Sequence, residues 1–298
     1  SCMSIPPEEA EERCAAFARQ FAILPASGGR FTLPARGASV DLPGDRVAGW
    51  EMIIGAILGL SPDQDPTDLH TLKAEFLRLG DPDAPVSFDV TPLRDTRNFV
   101  TRSVRVSQES GTLAQLTLGY SSRREGFAYQ HAVPPPAHNP EAFPEMWEVA
   151  GIPGRRPFLP GSPVETRFSH QSRAGDPGRP SVQAQLRPVE GFTDDPAIRA
   201  AVFAGNTEGP ISILLSLHLG LPIGAQASLD HQVWFHRPLA WDGWHTHEIW
   251  SDVATANRAL IHCRIWDEQG DLLAALGLDV LVLQIGRASC RERVSQRV

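Results

Sequence analysis

Several stretches of the chain carry side chains able to do chemistry. Asp230 to Pro238 ("DHQVWFHRP") sets a carboxylate, two imidazoles (His231, His236) and the Arg237 guanidinium close together, a set that suits either proton transfer or buried ion pairing. Ser228 lies two residues before Asp230, and on a regular strand that spacing puts both on one face. Asn206, within "FAGNTEG", stands at the end of a helical run, where asparagine often caps or terminates a helix. Glu51, Glu208, Asp252 and Asp279 are carboxylates that could serve as a base, with no position fixed by sequence. His245 and His247 have the i, i+2 spacing that can chelate a metal, but no third ligand accompanies them, so no metal is expected. Cys263, on an apolar strand, reads as a core residue rather than a nucleophile. There is no G-x-S-x-G elbow and no Gly-rich phosphate loop.

Elements able to position these groups follow from periodicity. Pro7 to Ala22 reads as a leading amphipathic helix with Ala15, Phe17, Phe21 and Ala22 on one face. Gly49 to Leu60 ("GWEMIIGAILGL") is an apolar run closed by "SPDQDP" and reads as a buried helix. From Leu69 onward, "LHTLKAEFLRLG", "VSFDVTPL", "NFVTRSVRVS" and "TLAQLTLGYSS" alternate between turn signals and predict an antiparallel meander. Pro and Gly crowd residues 132–163, which reads as an interdomain linker. Then strands are expected at "VETRFS" and "SVQAQLRPV", a helical patch from Asp195 to Leu219, and further strands at "ASLDHQVWFHRP", "HTHEIWSDV", "ALIHCRIWDE" and "DLLAALGLDVLVL".

The order of elements thus occurs twice, and residues repeat with it. Phe76 and Arg78 match Phe235 and Arg237 at an offset of 159; Glu109, Gly111 and Leu113 match Glu268, Gly270 and Leu272 at the same offset. An ungapped offset of this kind is the mark of an internal duplication. The expected units are 1–131, a linker over 132–163, and 164–284.

Bulk properties narrow the class. A length of 298 residues exceeds what one ordinary core needs, and 42% hydrophobic with 21% charged residues is a globular composition. The net charge of −8, without a basic stretch in the body of the chain, disfavours nucleic acid as a partner. Cys2, Cys14, Cys263 and Cys290 include no C-x-x-C pair, and a reducing cytoplasm fits them best. No secretory leader is evident. The apolar run Ile211 to Leu221 is shorter than the about 20 residues of a membrane-spanning helix and reads as a buried helix. Ile285 to Val294 ("IGRASCRERV") looks like a translated sequencing adapter, so 285–298 is set aside as non-native; without it the formal charge moves from −8 to −11, because Arg287, Arg291, Arg293 and Arg297 leave with Glu292.

The segments "LHTLKAEFLRLGDPDAPVSFDVTPLRDTRNFVTRSVRV" and "SLDHQVWFHRP…ANRALIHCRIWDEQGDLLAA" closely resemble the type II acyl-CoA thioesterases, over roughly Pro7 to Leu283. One departure is Leu79, where the family usually has proline. The resemblance implies an α+β fold of two tandem hot-dog domains, each an antiparallel sheet wrapped around a central helix, and a cofactor-free hydrolysis of acyl-CoA to free acid and CoA. It also implies association into a homo-oligomer. In that family an aspartate, a threonine and a glutamine hold the attacking water. By position these fall at Asn206, Ser228 and Leu278, while Glu51 and His70 fall at substrate-contact positions of the first half. Serine keeps a hydroxyl, but asparagine cannot accept a proton and leucine cannot hydrogen-bond a water. A second reading therefore stays open: a double hot dog that binds acyl thioesters without efficient turnover. A hydratase-type hot dog ranks last, since no dedicated His/Asp pair is present. The resemblance gives Asp230, His231, His236 and Arg237 structural rather than catalytic roles.

Overall fold

The computed structural model describes residues 5–26, 28–36, 46–122, 126–146, 162–172, 175–219 and 226–282. The tail from Ile285 and linker residues 147–161 lie outside them. In the first half, α1 (Pro7–Gln20) precedes β1 (Leu24–Ala26), β2 (Arg30–Leu33), α2 (Gly49–Leu60), β3 (Leu69–Phe76), β4 (Val86–Asp95), β5 (Phe99–Gln108) and β6 (Gly111–Ser121). The second half runs β7 (Val164–Gln171), β8 (Ser181–Pro188), α3 (Pro196–Asn206), α4 (Ile213–Leu219), β9 (Gln226–Ser228), β10 (Asp230–Phe235), β11 (His245–Thr255), β12 (Arg258–Trp266) and β13 (Leu272–Val282). No helix among the described residues is long and apolar enough to cross a membrane.

All thirteen strands form one antiparallel sheet in the order β1-β2-β4-β5-β6-β3-β10-β13-β12-β11-β8-β7, with β9 also paired to β13. Read outward from the β3–β10 seam, the two halves correspond strand for strand, and each wraps its own central helix, α2 or α3. This is a double hot dog. The strands β4, β5 and β6 follow one another as expected of a meander, but β3 does not lie beside β4. It takes the far edge of its half, where both of its sides find partners: β6 on one and β10 on the other. An edge left there would expose a row of unpaired N–H and C=O groups.

The repeat is also visible in local geometry. Gly111 and Gly270, at the tight β5–β6 and β12–β13 turns, have φ of 127° and 84°, a backbone region that glycine enters without steric penalty. His70 is an extra residue in β3, because Leu69 pairs with Tyr120 and Thr71 with Gly119. Leu229, 159 residues on, is likewise extra: Gln232 pairs with Gly277 but Ser228 with Val280, four steps on one strand against three on the other. A bulge of this kind reverses which face the following side chains meet. The expectation that Ser228 and Asp230 share a face therefore fails: Asp230 is exposed and Ser228 turns toward the interior.

Two further expectations change. The helical patch from Asp195 to Leu219 is two helices. Asp195 caps α3 by accepting from the Ala197 and Ile198 N–H groups, and the helix stops at Asn206 ahead of Gly209-Pro210, where proline has no N–H to continue the ladder. In α1 the inward stripe runs through Ala10, Arg13 and Phe17 to Phe21, leaving Ala15 and Ala22 exposed. Gln130, at the end of the first unit, bonds both the Gly270 carbonyl and the Leu272 N–H, and in the linker's described part the Phe143 carbonyl accepts from Arg167.

The core lies where α2 and α3 cross beneath the sheet. Ile53, Ile54, Ala56, Ile57, Ala200, Ala201 and Ala204 have no exposed surface. Gly205 makes this approach possible, since a Cβ there would stand 2.4 Å from Ile54 Cγ1 and 3.2 Å from the Trp50 carbonyl oxygen. Gly205→Ala should therefore cost about 1–3 kcal/mol by overpacking, read from urea unfolding; a variant as stable as the parent would show that the helices do not meet at this residue.

Candidate active site

Three elements converge at the first residues of α2. The turn that ends α3 brings Glu208, the bulge after β9 turns Ser228 inward, and the helix start presents its backbone N–H groups. Ser228 Oγ donates to Glu208 Oε1 at 2.8 Å, and the Trp50 N–H also bonds this carboxylate. Gly49 leaves the space: a Cβ on it would lie 3.1 Å from Glu208 Cδ and 2.8 Å from Phe76 Cζ. Arg46 stands near enough to stabilise the carboxylate's charge, and its Nη2 donates to the Gln226 carbonyl at 2.7 Å. Burial raises the Glu208 pKa above the ordinary carboxylate range, opposed by the Ser228 hydroxyl, the Arg46 charge and the Trp50 N–H.

The turn that carries Glu208 is itself held on both sides. Thr207 Oγ1 donates to the Ala204 carbonyl at 2.6 Å and lies 2.9 Å from His231 Nε2. Since the hydroxyl proton is used on Ala204, Nε2 carries the imidazole proton and donates to Thr207. Burial pushes His231 down to about 3, so the ring is neutral near pH 7. The Glu208 N–H returns to the Gly205 carbonyl at 3.1 Å.

The residues expected from sequence distribute unevenly around this cluster. Asn206 is buried, two residues before Glu208, but its Nδ2 donates back to the Val202 carbonyl at 2.8 Å in its own helix. Ser228 is in the cluster, bonded to Glu208 rather than to Asn206. Leu278 is 1% exposed and is the next inward residue along β13 from Val280, the partner of Ser228; it makes an apolar wall about 7 Å along the strand. Glu51 is engaged at the start of its own helix. It accepts from the Ala48 N–H at 2.6 Å, pairs with Arg36 at 2.6 Å and accepts from Gln20, capping α2. His70 is not brought to the cluster: it occupies the β3 bulge, edge-on to Phe99, about 20 Å along the strand from Phe76 at ~3.3 Å per residue.

The remaining chemical groups are placed elsewhere. Asp252 pairs with Arg179 at 3.2 Å and Asp279 with Arg258 at 2.5 Å, both on exposed ground. Asp230 accepts from the Asp279 N–H and Arg237 pairs with Asp271, each at 2.7–2.8 Å. His245 stacks on Trp241 with ring centroids 5.1 Å apart, and no group of three or more His, Cys, Asp or Glu able to hold a metal occurs among the described residues. Cys263 is buried and its thiol pKa pushed well up, which keeps it inert. Sequence reasoning placed Glu208 among four possible bases without choosing it, and it missed Gly49, Trp50, Arg46 and Phe76. The signal for Gly49 is the glycine opening an apolar helix; the other three carry none.

In the duplicate position of the first half the chemistry is missing. The counterpart of Ser228 at the offset of 159 is Leu69, fully buried, and that of Leu278 is Gly119. The corresponding helix start, that of α3, already has its N–H groups engaged by Asp195.

Comparison with known proteins agrees with this architecture. Residues 52–121 match the model of the acyl-CoA thioesterase N-terminal domain and residues 133–276 that of the acyl-CoA thioesterase C-terminal domain. The chain is 29% identical over 273 residues to acyl-CoA thioesterase 2 of Haemophilus influenzae, covering 83% of this chain and 91% of that one. It is 23% identical over 261 residues to human acyl-coenzyme A thioesterase 8, covering 80% of each. Among solved structures, a tesB protein of Mycobacterium avium subs paratuberculosis superposes with a TM-score of 0.74 at 21% identity, over 91% of this chain and 100% of that chain. Acyl-CoA thioesterase II TesB2 from Mycobacterium marinum gives 0.70 at 22% identity, over 89% and 97%. With both domain models matched in order across most of its length, and the two halves folded as the strand order requires, the chain belongs to the acyl-CoA thioesterase family.

Proposed function

We propose that this protein hydrolyses fatty acyl-CoA to a free fatty acid and CoA by attack of a positioned water on the thioester carbonyl. The observation that carries the reading is the Ser228 hydroxyl bonded to a buried carboxylate at the start of α2, in a chain of this family. A hydroxyl so fixed keeps oxygen lone pairs with which to hold a water. The start of α2 adds positive potential at this carboxylate, which favours its ionised form. Neither step needs a cofactor or a metal. The alternative of binding without turnover rested above all on Leu278; membership of this family and the carboxylate beside Ser228 favour turnover over it.

Around this chemistry we place the catalytic unit at 164–284, with the first half (1–131) lending the α2 start and the linker over 132–163 joining the two. The start of the C-terminal family match at residue 133 supports that division. A cytoplasmic location and a homo-oligomeric state complete the proposal; the cysteine pattern supports the first and the family resemblance the second.

Free-thiol release from short, medium and long acyl-CoAs should show turnover, and its absence across all lengths would sink the reading. Ser228→Ala should lower kcat about 10²-fold, the scale of losing one placed hydrogen-bonding group. Gly49→Ala, by pushing on Glu208 and Phe76, should cost at least about tenfold; Ser228→Ala should unfold at nearly the parental temperature.

A further inference from the structure

We infer that the general base of this hydrolase is Glu208, displaced by two residues from the position where the family carries its aspartate, and that the inward turn of Ser228 serves this displaced carboxylate. The inference rests on the proposed acyl-CoA hydrolysis and names the residue that drives it.

Position 206 is unfit for the task on two grounds. An amide takes up no proton, and the Asn206 Nδ2 is committed to the Val202 carbonyl at 2.8 Å. Glu208, one short turn later, is a buried carboxylate without an ion pair at contact distance among the described residues. Its neighbours are the Ser228 hydroxyl, the Trp50 N–H at the start of α2 and, farther off, the Arg46 charge. A carboxylate is an expensive way to satisfy two neutral donors, because burying a charge costs far more than burying an amide that could accept the same bonds. A glutamine would serve a purely structural role at least as well, so a charged side chain here points to proton transfer.

The surroundings are built around the carboxylate. Thr207 and His231 lock the turn from one side. Gly49 leaves room for the carboxyl carbon on the other. The bulge at Leu229 delivers Ser228 to the inner face, where a regular strand would have sent it outward. The balance between burial and these donors leaves Glu208 a stronger base than an exposed glutamate, while Arg46 and the two hydrogen bonds favour its ionised form.

The cycle balances with water as the only co-substrate. Ser228 holds the water; Glu208 takes one of its protons as the new O–C bond forms at the thioester carbonyl. Collapse of the tetrahedral adduct breaks the C–S bond, and the proton on Glu208 passes to the leaving CoA sulfur, so the enzyme regains its starting state and the acid departs.

The test uses the full chain and an acyl-CoA turned over by the parent, with Glu208→Gln, Asn206→Asp/Glu208→Gln, and a thermal melt of each. Glu208→Gln should lower kcat by ~10²- to 10⁴-fold, the usual worth of a placed base, with KM changed little and the melting temperature held or raised. The parent's kcat/KM should fall as pH is lowered, with the acid limb above the range of an ordinary glutamate because protonation removes the base; Glu208→Gln should lose that limb. Asp at 206 should restore nothing. Full turnover in Glu208→Gln, or recovery in the double variant, would overturn the assignment while leaving acyl-CoA hydrolysis intact, whereas a parent inactive on every acyl-CoA would overturn both.

Discussion

A carboxylate removed from water must be met by donors, and here the donors come from both halves of the molecule. Glu208 belongs to the second half, Ser228 to a strand of the same half, and the Trp50 N–H to the central helix of the first. Because α2 and α3 cross at Gly205 with almost no space between them, the end of one helix is carried to the start of the other. A helix start offers unpaired N–H groups and a positive end of the backbone dipole, so the contact that closes the core also creates the electrostatic setting of the site.

The same constraint explains why a duplicated fold has this hydroxyl–carboxylate pair in one half and not at the matching place in the other. Strand order, bulge position and turn glycines repeat around the β3–β10 seam. The side chains at the repeated places do not. Leu69 stands where the second half has Ser228, and the start of α3 is closed by its own Asp195 cap. Duplication preserved backbone geometry because hydrogen-bond ladders and helix packing demand it, whereas nothing in the ladder demands a hydroxyl at one bulge rather than the other.

Glu51 and Glu208 show how position divides two similar residues. Both are buried at the start of α2. Glu51 faces the N–H of Ala48 and the guanidinium of Arg36, bonds that fix the helix end. Glu208 has only neutral contacts close by, and its charge is correspondingly less well paid for by its surroundings. A capping carboxylate is committed to its partners; a poorly compensated one is open to exchange a proton.

Much of the architecture was legible in the residue order. Alternation placed most of the strands, the apolar run placed α2 at its observed limits, and the offset of 159 marked the duplication, because burial on one face imposes a period that a linear string displays. The family resemblance led to Ser228 and the end of α3. What the string could not display was any event that depends on pairing between distant strands: β3 crossing to the seam, the extra residue at Leu229, and the reversal of Ser228 from the outer to the inner face. Those are decided by which residue lies opposite which, and a single inserted position changes the face without leaving a mark in composition or period. For the same reason the carboxylate beside Ser228 was only one among several until tertiary packing chose Glu208, twenty residues away in sequence and 2.8 Å away in space.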